Sequence, residues 1–232
     1  MKGKRGKNIT LIISIYVALW MVSWGNMLQG QREQTDAGYF PVMQDDPEGW
    51  ESLFDGETLT GWEIVRYVGA GEPCVENGVL KLPAASAGVM TGVRWVGKPI
   101  PTNNYVIYYE ARRVAGNDIF AALTFPYKDT YASLIFGGWG GIVNGLSSVD
   151  GFDASENETT QHFSFRDNQW FPVQLRVTTD SIRATVGIEQ VVDMATAGKD
   201  IHLRDEILDT GLTLWTYLTT GEIRNLRIKR LP

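Results

Sequence analysis

The sequence predicts an all-β protein, two antiparallel sheets packed face to face, on three observations. Short runs rich in Val, Ile, Tyr and Phe recur along the chain, separated by Gly, Asn, Asp and Pro turn material. Within the runs, apolar residues alternate with polar ones: Phe171, Val173, Leu175 and Val177 stand against Pro172, Gln174 and Arg176, and Ile182, Ala184 and Val186 repeat the rule. No helical stripe interrupts the second half, and half-apolar strands are what two facing sheets require. The chain has 232 residues and no low-complexity break, which fits one β domain over residues 49–231.

The first 25 residues read as a signal peptide or a membrane anchor. A basic start (Lys2, Lys4, Arg5, Lys7) precedes an apolar stretch of about 16 residues from Ile9 to Trp24, and Ser23 and Gly25 supply small residues where a signal peptidase reads. The stretch is short of the roughly 20 residues of a comfortable span, which favours cleavage, export and a periplasmic, extracellular or cell-surface location. Membrane contact is then expected only through residues 9–25, if they are retained. Residues 26–48 have little apolar content and no period, and read as a flexible polar segment dispensable for folding.

From Gly49 to Trp62, two Trp residues and a Phe flank an Asp55-Gly56 turn, with a short helix candidate near Glu51. Gly88–Val96 reads as a mixed strand region, and Lys98–Pro101 as a stiff connector. Three consecutive strands are expected at Tyr105–Arg113, Asp118–Phe125 and Tyr131–Phe136. In the first, Val106, Tyr108, Glu110 and Arg112 share one face, and Tyr105, Ile107, Tyr109 and Ala111 the other. The third ends in Gly137-Gly138-Trp139-Gly140-Gly141, which would spell either an exposed aromatic platform or a Trp plugging the sandwich. Asp150, Asp153, Glu156 and Glu158 collect in one loop, so a divalent cation such as calcium on Asp150 and Asp153 is weighed there against a merely solvated acidic loop. Asn157-Glu158-Thr159 fits the N-glycosylation pattern. The second half adds alternating runs at Gln161–Phe165 and Leu212–Trp215, and a last one in which Arg224, Leu226, Ile228 and Arg230 oppose Asn225, Arg227 and Lys229; a further short helix is sought within Ala195–Leu208.

Composition excludes several functions. The formal net charge of −6 becomes −10 without the four N-terminal cations, and no basic run interleaves with aromatics, so nucleic acid is not an expected partner. One cysteine, Cys74, cannot make an intrachain disulfide, and two histidines cannot build a histidine-rich metal centre. No phosphate-binding loop, dinucleotide fingerprint or nucleophile elbow occurs, so the sequence itself requires no cofactor. The charged groups on strands are the informative ones, because an unpartnered buried charge is costly. Glu110, Arg112, Asp118, Arg166 and Arg176 form that set, against the plainer reading that they pair on a solvated sheet face.

Leu53, Phe54, Asp55, Gly56, Leu59, Gly61 and Trp62 resemble the opening signature of the 3-keto-disaccharide hydrolase or 3-keto-glycoside lyase/hydratase family. The likeness extends through Val75–Leu80, the Glu110 strand, the Gly116-Asn117 turn and Ile223–Ile228. Asp118 and Ile119 stand where the family usually has Ser-Gly, and its Glu-containing segment has no clear counterpart. The resemblance implies a jelly-roll or concanavalin-like sandwich with a sugar-sized groove, an oxidised sugar as ligand, and cleavage by removal of the C2 proton beside a C3 ketone, elimination, and hydration. On that reading Glu110 or Asp118 is the base, and Arg112 or a divalent cation is the enolate partner. Asn117, Trp139, Arg166 and Trp215 would hold the sugar. The alternative is a carbohydrate-binding or cell-surface sandwich without chemistry, since one fold serves both.

Overall fold

A computed structural model describes residues 48–232, apart from Ala87, Asp205, Glu206, Leu208 and Asp209. The expectations for export, anchoring and the polar segment fall outside the described residues. Strands β1 (Trp50–Ser52), β2 (Trp62–Val65), β3 (Cys74–Glu76), β4 (Val79–Leu82) and β5 (Met90–Trp95) lead to the long β6 (Tyr105–Gly116). Then follow β7 (Ala122–Tyr127), β8 (Thr130–Gly137), β9 (Val143–Ser147), β10 (Gln161–His162) and β11 (Phe171–Val177). The last four are β12 (Ser181–Val186), β13 (Glu189–Ala195), β14 (Thr213–Tyr217) and β15 (Thr219–Arg230).

They form two sheets, every pairing within them antiparallel. The eight-stranded sheet runs β13-β12-β11-β6-β15-β4-β3, with β1 added on β15, and the seven-stranded sheet runs β10-β9-β8-β7-β14-β5-β2. The predicted jelly-roll or concanavalin-like sandwich is therefore the observed fold. The alternation dictates which faces meet. Tyr105, Ile107, Tyr109 and Ala111 of β6 are fully buried in the core with Val173, Leu175 and Val177 of β11 and with Leu123, Phe125, Leu134 and Leu214 of the opposite sheet. Tyr105 and Tyr109 carry polar tips into that core, and each finds a partner across it: Tyr105 donates to the Pro126 carbonyl at 2.5 Å.

Several boundaries differ from the sequence reading. The expected strand at Asp118–Phe125 begins only at Ala122, because Ala121 takes a left-handed φ of 52° that breaks the extended run before it. Glu51 lies on β1, paired with Ile228, so the helix expected there is a strand. The region sought as a helix after Ala195 opens with β13 ending and a turn at 197–198, and the described residues beyond it are not helical. The alternation expected across Arg224–Arg230 is broken by a bulge: Arg224 pairs with Glu110 but Arg227 with Tyr108, so three steps on β15 match two on β6. Asn225, at φ 56°, absorbs the extra residue, and Arg224 and Arg227 both emerge on the outer face.

Candidate functional site

The outer face of the seven-stranded sheet carries a second apolar cluster of Ile119, Ala122, Ile135, Val143, Ala154 and Trp215, against which Met90, Ile207 and Tyr217 pack. The alternation that sends Leu214 inward sends Trp215 outward, and Gly92 opposite it makes the room: a Cβ there would stand 2.9 Å from that of Trp215. The Trp215 indole N–H donates to Thr124 Oγ1 at 3.0 Å, and Thr124 shares a 2.8 Å hydrogen bond with Ser133. A hydroxyl pair thus fixes the ring from beneath.

Above this floor lies a groove of about 550 Å³ lined by Tyr67, Met90, Asp118, Trp139, Arg204 and Trp215, with Ile119, Ile207 and Tyr217 among its apolar walls. Asp118 sits in the connection between β6 and β7. Its backbone N–H donates to Thr219 Oγ1 at 2.8 Å, and its carboxylate accepts from the N–H groups of Ile119 at 2.9 Å and Gly140 at 3.1 Å. The last bond ties the carboxylate to the glycine-rich turn Gly138–Gly141. Trp139 adopts φ 50° and ψ 54° in that turn and is 43% exposed, so it is a platform rather than a plug. Arg204 pairs with Asp153, whose carboxylate also accepts from the Ser147 hydroxyl at 2.5 Å and the Ala154 N–H at 2.7 Å. Among the described residues, one anionic and one cationic side chain therefore border a groove otherwise walled by aromatic and aliphatic surface, the composition expected of a small-molecule site.

The profile of the 3-keto-alpha-glucoside-1,2-lyase-like domain matches residues 49–229. The chain belongs to that family. No curated protein matches it in sequence. Among solved structures, this lyase-like domain is similar to the Crh5 transglycosylase in complex with NAG, with a TM-score of 0.57 and 9% identity over 79% of this chain and 85% of that one. A Bacillus subtilis protein with a galectin-like fold gives 0.54 and 8% identity over 78% and 98%. A Parabacteroides distasonis protein described as a glycosyl hydrolase gives 0.51 and 12% identity over 79% and 95%. At such identities the likeness is one of fold alone.

Within the lyase-like domain, Asp118, Trp139 and Trp215 come together in the groove, and Glu110 and Arg112 do not join them. The shared face of Tyr108, Glu110 and Arg112 is the outer face of the other sheet. There Glu110 accepts from Arg224 Nε at 2.7 Å and Asn225 Nδ2 at 2.8 Å, and Arg112 Nε donates to Glu222 at 2.6 Å. Glu110 and Asp118, the two carboxylates offered as the base, are thus apart: Glu110 lies in the middle of β6, and Asp118 follows the end of that strand. Asn117 and Arg166 are exposed and do not line the groove.

Asp150 and Asp153 face cations of the chain, not each other. Lys199 Nζ lies 3.0 Å from Asp150 and 2.8 Å from Glu158, and Arg204 takes Asp153. The Asp200 N–H and then Lys199 hold the Asp150 carboxyl below its usual range. Among the described residues no group of three or more His, Cys, Asp or Glu side chains is gathered as for a metal. The acidic loop, where calcium on Asp150 and Asp153 was weighed, is organised among the described residues by these ion pairs. Asn157 is turned inward as well, its Nδ2 donating to the carbonyls of Leu146, Phe152 and Asp153 at 2.7, 3.2 and 2.8 Å. That arrangement disfavours the glycosylation suggested by its tripeptide.

Sequence reasoning missed Tyr67, Met90, Arg204 and Tyr217. Tyr217 was within reach, two residues beyond Trp215 on one strand and so on the same face. Arg204 lies in a loop with no period and carried no signal.

Proposed function

We propose that this carbohydrate-active sandwich cleaves 3-keto-glycosides in the groove over Trp215. The observation that carries the reading is the meeting of a backbone-anchored carboxylate, Asp118, with a guanidinium, Arg204, and two indole faces, Trp139 and Trp215, around one sugar-sized space. Trp139 would stack on the apolar face of the sugar ring. Asp118 would take the proton from C2, made acidic by the adjacent C3 ketone, and the C–H electron pair would move onto the C3 oxygen as an enolate. Arg204, steadied by Asp153, would face that developing charge. As the ketone re-forms, the C1–C2 double bond closes and the C1–O bond breaks, the departing oxygen taking a proton from water while Asp118 keeps the one it removed from C2. Water then adds to the unsaturated sugar. The family to which the chain belongs supports the reaction class.

A second reading is a sugar binder without chemistry. It is favoured by one observation: Asp118 is the single carboxylate among the described residues lining the groove, so no second carboxylate there serves as acid. The two are separated by giving the full chain 3-keto-trehalose or 3-keto-sucrose, with and without added calcium, and following release of the second sugar. Release by the parent protein, reduced at least tenfold in Asp118→Asn, about 1.4 kcal/mol of transition-state stabilisation, supports the lyase. Saturable binding of an unoxidised glycan that needs Trp139, with no release, establishes the binder instead.

A further inference from the structure

The outer face of the eight-stranded sheet holds a second groove, of about 520 Å³, between the N-terminal turn and the centre of β6 and β15. Its walls include Trp50, Asp55, Tyr108, Glu110, Asn225 and Arg227. The bulge in β15 creates it. Had β15 kept a regular alternation through Asn225, Arg227 would face the core, because residues three apart on an unbulged strand face opposite sides.

Arg227 is held as a plane between two rings, its Cζ 5.0 Å from the Trp50 centroid and 4.5 Å from that of Tyr108. Its Nε is buried and has no hydrogen-bond partner, and among the described residues the guanidinium makes no ion pair. This sets it apart from its neighbours on the same face. Arg224 spends its charge on Glu110, and Arg112 spends its charge on Glu222, while both stack on Trp170 at 4.2 and 4.6 Å. The acids of the groove are already engaged. Glu110 is satisfied by Arg224 and Asn225, and Asp55 is turned into its own loop by the Glu57 and Thr58 N–H groups, both at 2.8 Å, and by the Thr58 hydroxyl. Burial, with Glu110 nearby, pushes the Tyr108 hydroxyl up to about 12, so it stays protonated and donates to Glu110 at 3.4 Å.

We propose that this groove is a second carbohydrate site, for a uronic-acid residue of a glycan, in which Arg227 takes the sugar carboxylate. A guanidinium offers a planar fork that matches a carboxylate with two parallel hydrogen bonds, and flanking aromatic faces suit the C–H face of a pyranose. The sugar class rests on the carbohydrate-active reading, but the site lies on the opposite outer face from Asp118 and Trp139 and needs no chemistry there. It would hold an acidic chain to the domain while the first groove acts on, or binds, a different residue.

Isothermal titration of the full chain at low salt, with galacturonate and glucuronate trisaccharides and with their methyl esters, tests this. An acid trisaccharide is expected to bind at least tenfold more tightly than its ester. Arg227→Gln should abolish that preference, Trp50→Ala should weaken both acid and ester, and Trp139→Ala should change neither. Arg227→Lys, which keeps the charge but loses the fork, should keep only part of the preference and covers the case in which Arg227→Gln folds poorly. Equal affinity for acid and ester, no saturable binding of either acid, or binding lost in Trp139→Ala but kept in Arg227→Gln would each overturn the proposal. Because its readout is acid over ester and its variants lie on β1 and β15, it fails or holds independently of sugar release at Asp118.

Discussion

Tyr109 donates its buried hydroxyl across the sandwich to the carbonyl of Ala121 at 2.8 Å, joining the centre of one sheet to the left-handed residue that turns the chain from Asp118 into β7. Burial raises the Tyr109 hydroxyl far above its ordinary range, so it is a donor at every working pH. The bond has two consequences, one for stability and one for the groove.

Tyr109→Phe removes a buried donor and leaves the Ala121 carbonyl without it. A loss of about 1–3 kcal/mol in unfolding free energy is expected from the orphaned acceptor, read by urea denaturation with an unchanged slope. Since Ala121 lies three residues from Asp118, sugar release or sugar binding should fall as well. A variant as stable as the parent would show that the carbonyl finds another partner.

Gly141 holds the far end of the Trp139 turn at φ 97°. A Cβ there would meet Arg113 Nη1 and the Asn117 carbonyl, each at 3.1 Å. Arg113 has little freedom to yield, because its Nε and Nη2 are bonded to Asp167 and to the Phe165 carbonyl at 2.5 and 2.7 Å. Gly141→Ala therefore strains the turn by about 1–2 kcal/mol and displaces Trp139. Ligand affinity in the Asp118 groove should drop about tenfold or more, with far-ultraviolet circular dichroism unchanged. Parent-like affinity would mean that Trp139 does not depend on this turn.

Asp55 supplies a pH test. The Thr58 hydroxyl, then the Thr58 and Glu57 N–H groups, lower its pKa in the folded state. A depressed carboxyl contributes stability that is present above its unfolded value, near 4, and is lost as pH falls through the lower folded value. Asp55→Asn should thus be less stable than the parent at pH 6, and the difference should narrow below pH 4. Urea midpoints at pH 6, 4 and 3 measure it, and a gap that stays constant with pH would remove Asp55 from the account.

The strand faces were legible because burial obeys a period of two: Ile107 and Tyr109 inward, Glu110 and Arg112 outward follow from alternation alone. Two things were hidden. A bulge shifts the period without any change of composition, so Arg227 read as one more alternating residue until its pairing with Tyr108 was known. The grouping of the groove depends on which outer face each strand contributes to, a property of topology. Trp139 and Trp215, 76 residues apart, meet because β8 and β14 both border β7. Nothing local in the sequence carries that adjacency, whereas the Leu53–Trp62 signature carried the family as a whole.

Asp153 should matter through Arg204 and not by touching the sugar. Its carboxylate is mostly buried, with 18% of the side chain exposed, and joins the Ser147 hydroxyl and the Ala154 N–H to the guanidinium that lines the groove. Asp153→Asn keeps the shape but replaces a charged acceptor by a neutral one, weakening its hold on Arg204. If Arg204 faces the enolate, this loss is felt as charge develops: kcat for release from 3-keto-trehalose should fall about three- to tenfold with KM little changed, a difference of about 0.7–1.4 kcal/mol. Arg204→Gln should fall further, and the double variant Asp153→Asn/Arg204→Gln should be no worse than Arg204→Gln alone, because Asp153 acts only through that partner. Additive losses in the double variant would give Asp153 a role of its own, and a change confined to KM would place Arg204 in sugar binding instead of in the chemical step.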